Sequence, residues 1–302
     1  MKKNYSVYGT LMFVMVVWGL NVVAVKYLVE AMHPVQMQGV RIGAAGIAAL
    51  AILYVLKELK RPNRNEVVLI GAAALFGQVL HHSLLAWGLL NTTAGNASLI
   101  LGLIPVTTAV FAAVLLRERL NLLRVFGILI GFSGVMLIII PSNEALSAAA
   151  GGDLLIFLSM ISQAFSFILI RKASTSLPAG AMTAYMLLAG SIVLIGLSFV
   201  TGGGETVFQG HTSTVWAVFF SSALLATGAG HILFNSAIQK IGPSQTAVFN
   251  NFVPFFALGG SWLFLGETIT VYQAASFMLI VIGVLLGTGY AEYQYKKYKY
   301  AN

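Results

Sequence analysis

The sequence predicts an all-α membrane protein whose ten transmembrane helices form two inverted five-helix repeats around a central cavity. Three observations support this fold class: the composition, the number of apolar runs and a correspondence between the two halves of the chain. The 302 residues are 58% hydrophobic and 9% charged, with a mean hydropathy of +0.89. This composition excludes a soluble globular domain. Because the chain has no cysteine, disulfides, thiolate metal sites and a cysteine nucleophile are excluded as well.

Ten apolar runs have about the 20 residues needed to cross the hydrocarbon core of a bilayer. These ten predicted spans cover residues 7–29, 34–56, 66–90, 95–116, 121–141, 152–171, 180–201, 213–238, 243–265 and 269–290. The connections between them are too short for a soluble domain. Lys2 and Lys3 before the first run also occur in signal peptides, but this run is long enough to span and no small-residue cleavage site follows it. We therefore expect a retained first helix.

The distribution of lysine and arginine predicts the orientation. With the N-terminus in the cytoplasm, the predicted inner segments hold 15 of the 17 Lys and Arg residues, and only Lys26 and Arg41 lie in the outer half. Cytoplasmic loops of membrane proteins are enriched in these residues. We expect a multi-pass protein of the bacterial plasma (inner) membrane with both termini in the cytoplasm. Residues 291–302 are then a basic cytoplasmic tail.

The two halves of the chain repeat the same landmarks. Four pairs share an offset of 149 residues: His82 and His231, Pro105 and Pro254, Glu118 and Glu267, Gly134 and Gly283. Upstream, three pairs share an offset of 144 or 145: Lys26 and Arg171, Pro34 and Pro178, Arg41 and Tyr185. We place the first repeat at 1–141, a linker at 142–151 and the second repeat at 152–290. A repeat of five spans enters the membrane inverted, an arrangement typical of alternating-access transporters that bind their cargo at the repeat interface.

Several of these landmarks belong to a known pattern. The first span ends Trp18-Gly19-Leu20-Asn21-Val22-Val23-Ala24-Val25-Lys26, followed by Pro34 and Arg41; later come Pro105 with Leu116-Arg117-Glu118-Arg119, and Pro254 with Leu265-Gly266-Glu267. In this pattern nearly the whole chain resembles the EamA-type branch of the drug/metabolite transporter superfamily. The resemblance implies a basket of helices in which spans 1, 3, 4, 6, 8 and 9 line a central cavity and spans 5 and 10 are peripheral. It also implies export of amino acids and other small metabolites.

Polar side chains are concentrated in the spans that the resemblance places around the cavity. A polar group in hydrocarbon is costly unless it faces protein or water, so these residues are candidate substrate ligands. They are Trp18, Asn21, His81, His82, Asn96, Gln163, Ser166, His231, Asn235, Asn250 and Asn251. The alternative for each residue is a structural hydrogen bond to a neighbouring helix, worth under about 1–2 kcal/mol. For the set as a whole we favour a water-filled polar cavity.

Arg41 has two interpretations. Its side chain can extend to the outer headgroups while its stem stays in the apolar region, or its guanidinium can bind a carboxylate or phosphate. We favour the first, because span 2 does not line the cavity in the implied fold. No Asp or Glu lies in the middle of any span, which argues against cationic-drug antiport. Protons remain a candidate coupling ion, with the histidines as carriers.

Two features suggest gates. Pro105 and Pro254 each remove a backbone donor within a span, which frees a carbonyl (that of Asn250 for Pro254) or allows a kink, and we favour the kink. Inversion also brings Lys26 to the level of Glu267 and Arg171 to that of Glu118, so that two ion pairs could close the two ends of the pathway in turn. The alternative for Lys26 is a helical pair with Glu30.

These observations together predict a secondary transporter that exports small neutral or zwitterionic metabolites, such as amino acids, by alternating access. The alternatives are import or exchange of an anionic metabolite through Arg41, or a membrane-embedded hydrolase, which is disfavoured because neither HExxH nor GxSxG occurs. We expect no cofactor, no metal and no nucleic-acid partner; the partners are the small-molecule substrate and the lipid bilayer. The glycine pairs Gly127/Gly131 and Gly283/Gly287 serve either packing within one chain, which we prefer, or a homodimer face.

Overall fold

A computed structural model describes residues 5–115, 117, 121–139, 148–173, 177–202, 210–241, 246 and 249–289. All regular structure in these ranges is helical. The helices are α1 (Tyr5–Ala31), α2 (Pro34–Val55), α3 (Arg64–Ala74), π1 (Leu75–Leu80), α4 (His81–Asn91), α5 (Ala94–Leu101), α6 (Ile104–Leu115), α7 (Leu122–Ile139), α8 (Ala148–Ala173), α9 (Ala179–Val200), α10 (Ser213–Phe220), π2 (Ser221–Ala229), α11 (Gly230–Ile241), α12 (Phe252–Leu265) and α13 (Val271–Gly287).

Seven helical stretches in the described ranges are long and apolar enough to cross a membrane, and three apolar helices are shorter. The long stretches correspond to predicted spans 1–4 and 6–8, since α3, π1 and α4 form span 3 and α10, π2 and α11 form span 8. The shorter helices α7, α12 and α13 lie within predicted spans 5, 9 and 10. The chain is therefore an all-helical, multi-pass membrane protein.

Short polar residues begin several of these helices. Asn63 and Glu66 form a reciprocal capping box at the start of α3, and Thr270 and Gln273 do the same for α13. The hydroxyl of Thr93 accepts the Asn96 N–H at the start of α5. Each cap satisfies a backbone donor that the first helical turn leaves without a partner. This is why the helices begin where they do after such short connections.

The helices pair in a pattern that is preserved when the two halves are exchanged. Helix α7 packs along α13, and α2 packs along α9. Helix α1 packs on α12 and on span 8, whereas its counterpart α8 packs on span 4 and on span 3. The two π-helices agree with this pattern as well, because π1 shifted by 149 residues falls on 224–229, within π2.

Glycines allow the closest of these contacts. A Cβ added to Gly127 would lie 2.3 Å from the backbone nitrogen of Gly287, and one added to Gly283 would lie 2.4 Å from that of Gly131. The α7 and α13 backbones therefore approach each other at positions that admit no side chain. The interpretation that these glycine pairs pack within one chain is confirmed.

The two prolines occupy first turns of helices. Helix α5 ends at Leu101, and Pro105 is the second residue of α6; Pro254 is the third residue of α12. A proline is tolerated in a first turn, where its missing N–H has no helical partner. The predicted free carbonyl of Asn250 is wrong, since it accepts the Val253 N–H at 3.1 Å.

The largest apolar cluster lies at one end of the bundle. It joins the C-terminal half of α1 to α4, α5, the N-terminal half of α8 and parts of α12 and α13. Its residues include Val25, Leu89, Leu99 and Ile156, which are at most 1% exposed. The helices are therefore packed tightly together at the end predicted to face outward.

Candidate functional site

Arg41 in α2 is fully buried and bonded only to neutral groups. Its Nε and Nη2 donate to Gln38 Oε1 at 3.0 and 2.6 Å, and its Nη1 donates to Ser222 Oγ at 3.0 Å and to Thr227 Oγ1 at 2.7 Å. Within the described ranges no carboxylate pairs with this guanidinium. The favoured interpretation of Arg41 was wrong: the side chain does not extend to the headgroups but turns inward against span 8. Helix α2 therefore contributes to the interior.

The π-helical geometry of π2 allows two of its hydroxyl groups to contact Arg41. Ser222 and Thr227 are five residues apart, and residues with that spacing do not face each other in an α-helix. In the wider turn of a π-helix their hydroxyls reach the same nitrogen, and the Thr227 hydroxyl also donates to the Ser222 carbonyl at 3.1 Å. The π-helix thus supplies two oxygen acceptors to one guanidinium.

Span 1 supports π2 from the other side. Trp18 Nε1 donates to the Ala226 carbonyl at 2.9 Å, and the Ser222 hydroxyl donates to Asn21 Oδ1 at 2.5 Å. The structure therefore places two predicted site residues, Trp18 and Asn21, in direct contact with the segment that holds Arg41.

One of the three predicted histidines, His231, contacts this segment. His81 and His82 rings lie 4.6 Å apart, and the His231 ring lies 5.1 Å from that of Trp18. His231 Nδ1 is 2.9 Å from the Thr227 carbonyl. This region is therefore rich in basic groups, and among the described residues it contains no acidic side chain that would neutralise them.

Several polar atoms beside this cluster lack a protein partner. Gln78 Oε1 in π1 and His82 Nδ1 are buried without a hydrogen bond in the described structure. His81, in contrast, is held by span 6: the Ser159 hydroxyl lies 2.8 Å from both its Nδ1 and its carbonyl oxygen. Buried polar atoms without partners are costly, so Gln78 and His82 have capacity for a ligand.

Gln163 and Ser166 lie beside π1. Gln163 is 8% exposed, and the Ser166 hydroxyl donates to the Ala73 carbonyl at 3.1 Å. The pair Ser166–Ala73 stands at offsets of 145 and 149 from the pair Asn21–Ser222, so the two contacts are equivalent in the repeat.

Asn96 belongs to a different network. Its Nδ2 donates to Asp153 Oδ2 at 3.3 Å, and its Oδ1 accepts Gln273 Nε2 at 2.7 Å. Asp153 is 2% exposed and also accepts the Thr92 hydroxyl. The predicted polar set is thus divided between the Arg41 cluster and this Asp153 network, which joins α5, α8, α13 and the α4–α5 turn.

Sequence reasoning missed Asp153. The residue lies in the first turn of predicted span 6. A charge at the end of a span is common there and does not by itself indicate a buried polar network. It is, however, the only aspartate in the chain. That rarity, together with the apolar residues that follow it, was the available signal.

The predicted ion pair between Lys26 and Glu267 is absent from this conformation. Lys26 Nζ lies 2.9 Å from Glu30 Oε1 and donates to the Leu89 carbonyl at 2.7 Å. The Glu267 carboxylate accepts the Ala94 and Gly95 N–H groups at 2.8 and 3.1 Å, at the N-terminus of α5 where a negative charge is favourable. The alternative helical pair is the one that forms.

Some predicted residues can be placed only in part. Glu118 lies outside the described residues, and so do the side chains of Arg171 and Asn235. Asn250 and Asn251 precede α12, and Asn250 Oδ1 and both polar side-chain atoms of Asn251 are buried without a partner among the described residues. Among the residues that the structure describes, no group of three or more His, Asp or Glu side chains could hold a metal.

Comparison with known proteins agrees with this architecture. The EamA-like transporter family model matches twice, at residues 6–140 and 150–288. The chain is 29% identical to the uncharacterized transporter YyaM of Bacillus subtilis (strain 168), over 95% of each chain. It is 25% identical to the WAT1-related protein At3g02690, chloroplastic, of Arabidopsis thaliana, over 89% of this chain and 66% of that one.

A crystal structure with 17% sequence identity covers 94% of this chain and 97% of its own, with a TM-score of 0.68, and so shares the fold. Because the matched family is one of transporters, the hydrolase alternative is wrong. The two matched segments each cover one of the predicted repeats. The chain belongs to the EamA-like transporter family.

Proposed function

We propose that the protein is a secondary transporter that exports small zwitterionic metabolites, such as amino acids, and binds their carboxylate at Arg41. The single observation that carries this proposal is the fully buried guanidinium whose described partners are all neutral. A charge without a counter-ion in a protein interior costs several kcal/mol. A cargo that brings a carboxylate supplies the missing counter-ion, and the planar guanidinium matches it with two parallel donors.

The surroundings of Arg41 suit the exchange of partners. Gln38, Ser222 and Thr227 hold the guanidinium with neutral acceptors, which are weaker than a charged one. An arriving carboxylate can therefore replace one or more of these contacts at a net gain. The neighbouring Gln78 and His82 atoms without partners are available to bind the rest of a polar cargo.

We further propose that the spans cross ten times as two inverted repeats, with both termini cytoplasmic. Three findings support this arrangement: the exchange symmetry of helix packing, the matched π-helices, and contacts between loops predicted to share a side. On the predicted outer side His33 Nε2 lies 3.2 Å from the Thr201 carbonyl, and on the inner side the Tyr185 hydroxyl donates to the Lys60 carbonyl at 3.2 Å.

In this topology the conformation is closed at the outer end. The apolar cluster, the Asp153 network and the Glu267 cap on α5 all lie there. Alternating access then requires these contacts to separate while the inner end closes. Lys26 and Glu267 do not form the outer closure here, and the proposed closure is made by Asp153 and Asn96 instead.

A second candidate is import or exchange of an anionic metabolite without an ammonium group. One observation favours it: within the described ranges no acidic side chain lies beside Arg41 to bind an ammonium group. The histidines and Arg41 would instead suit a cargo that is anionic as a whole.

Counterflow in proteoliposomes tests the proposal and separates the two candidates. Proteoliposomes that contain the purified protein are loaded with unlabelled amino acids, with the matching deaminated carboxylic acids, or with the matching amines that lack a carboxylate, and uptake of the labelled form of the same compound is measured. We expect amino acids to exchange and amines to be inert. Exchange by the deaminated acids alone would favour the second candidate, and equal exchange by amines would contradict carboxylate binding at Arg41.

A further inference from the structure

A groove opens on the side of the bundle between α1 and span 8. It has a volume of about 330 Å³ and is walled by Val17, Leu20, Ala217 and Leu225. Leu20 and Leu225 are 38% and 52% exposed on helices long and apolar enough to cross a membrane. The groove therefore faces the lipid, in the size range of small-molecule sites.

The inner end of this groove is polar, unlike its walls. Asn21 and Ser222 line it there. Ser222 accepts a hydrogen bond from Arg41 Nη1 at 3.0 Å and donates one to Asn21 at 2.5 Å. One hydroxyl group therefore touches both the lipid-facing groove and the buried guanidinium.

A second groove, which also includes Leu20 of α1, provides a comparison. It is larger, about 630 Å³, and Val16, Phe255, Gly259 and Met278 contribute to its apolar lining. No side chain that lines it ends in a polar group. Its composition is what contact with lipid chains alone would require.

We propose that the groove between α1 and span 8 is a lateral binding site for the apolar part of the cargo, which makes hydrophobic monocarboxylates a substrate class of this protein. The inference rests on the proposed carboxylate site at Arg41. An aromatic or branched aliphatic body occupies the apolar walls, and the carboxylate replaces Ser222 as the partner of the guanidinium. The negative charge of such a cargo matches Arg41, whereas a neutral lipid chain gains nothing from the polar end of the groove.

The test fills each groove with one phenylalanine. Ala217 and Ala274 are both exposed alanines, one lining each groove, so Ala217→Phe and Ala274→Phe form a matched pair. Counterflow is measured with 3-phenylpropanoate and with lactate, which share a carboxylate and differ in their apolar body. We expect Ala217→Phe to reduce 3-phenylpropanoate counterflow about tenfold or more, the scale of losing contacts in an apolar pocket. Lactate counterflow in this variant and both activities of Ala274→Phe should stay near the wild-type values.

A second measurement does not depend on a bulky side chain. Because the chain has no cysteine, a spin label can be placed uniquely at Ala217→Cys or at Ala274→Cys. Saturating 3-phenylpropanoate should immobilise the label at position 217 and leave the label at position 274 unchanged. Equal responses at both positions, or Ala217→Phe activity equal to wild type, would overturn the lateral site. If carboxylates exchange but neither Ala217 variant responds, the site at Arg41 stands and the groove does not; if no carboxylate exchanges at all, the proposed function itself fails.

Discussion

The two π-helical segments occupy equivalent places in the two halves, yet only one of them holds a charge. Beside π1, Ser162 and Ser166 of span 6 donate to the carbonyls of Phe76 and Ala73 at 2.7 and 3.1 Å. Beside π2, Asn21 of span 1 accepts the Ser222 hydroxyl at the position equivalent to Ser166–Ala73, and Trp18 donates to the Ala226 carbonyl. Arg41 is added there alone. The repeat thus provides a common scaffold, and one side chain distinguishes the copy that we propose as the binding site.

The counterpart of Arg41 explains why the other copy stays neutral. Its repeat mate is Tyr185, whose hydroxyl donates to the Lys60 carbonyl at 3.2 Å, away from π1. The mate of Thr227 is Gln78, whose Oε1 lacks a partner in the described structure. If the cargo carboxylate binds at Arg41 as we propose, a charged group at one copy gives it a single position with a strong anchor.

The largest expected effect is that of removing the charge beside π2. Arg41→Gln should lower amino-acid counterflow by about a hundredfold or more, because losing one partner of a buried charged contact typically costs 2–5 kcal/mol. Arg61→Gln, at an exposed arginine of the α2–α3 connection, is the control and should retain full activity. Wild-type rates in a folded Arg41→Gln protein would show that the charge beside π2 has no role in binding.

Removing the hydroxyl of Ser222 in π2, or that of Ser166 beside π1, should change counterflow less than Arg41→Gln does. Ser222→Ala removes an acceptor that the arriving carboxylate is proposed to replace. Because this bond to a charged group is worth about 1.5–3 kcal/mol, the apparent affinity for amino acids should rise by about tenfold or more. Ser166→Ala removes a neutral bond to the Ala73 carbonyl, which in a membrane is worth about 0.6 kcal/mol, or less than about threefold. Concentration-dependent counterflow measures both. Equal changes would mean that π1 and π2 contribute alike.

The smallest effect concerns the closed end of the bundle rather than the site. Asp153→Asn keeps an acceptor for Thr92 but loses the charge that accepts from Asn96. We expect the outer end to open more often and a membrane-impermeant maleimide to label Ser98→Cys, a buried position of α5, a few times faster. The reason is that a hydrogen bond to a charged group is replaced by a neutral one, which costs about 1 kcal/mol.

The control for this prediction is Glu58→Gln, an exposed carboxylate in the α2–α3 connection, which should leave the labelling rate unchanged. Slower labelling or no change in Asp153→Asn would remove the Asp153 network from the proposed closure.

The sequence was sufficient for the fold and for part of the site. Apolar runs depend on composition and spacing alone, and they predicted the helices, whereas the family was predicted from the resemblance of the quoted motifs. Trp18, Asn21 and the histidines were found because polar groups within spans are rare. Of these residues, Trp18, Asn21 and His231 do lie against the segment that holds Arg41.

Other features depend on tertiary structure and could not be predicted. The direction of Arg41 follows from the acceptors that π2 presents, and a π-helix has no clear sequence period of its own. Lys26 pairs with Glu30 one helical turn away, and this contact within one helix forms instead of the predicted long-range pair with Glu267. The place of Asp153 in a buried network could not be predicted, because it depends on its contact with Thr92 in the α4–α5 turn and on the bond between Asn96 and Gln273 of α13.

The most direct test of the central claim is an experimental structure of the protein in lipid nanodiscs with a transported carboxylate bound. We predict that both carboxylate oxygens lie within hydrogen-bond distance of the Arg41 guanidinium and that at least one of Gln38, Ser222 and Thr227 has lost its contact with it. A carboxylate bound elsewhere, with Arg41 still held by all three neutral partners, would contradict the account.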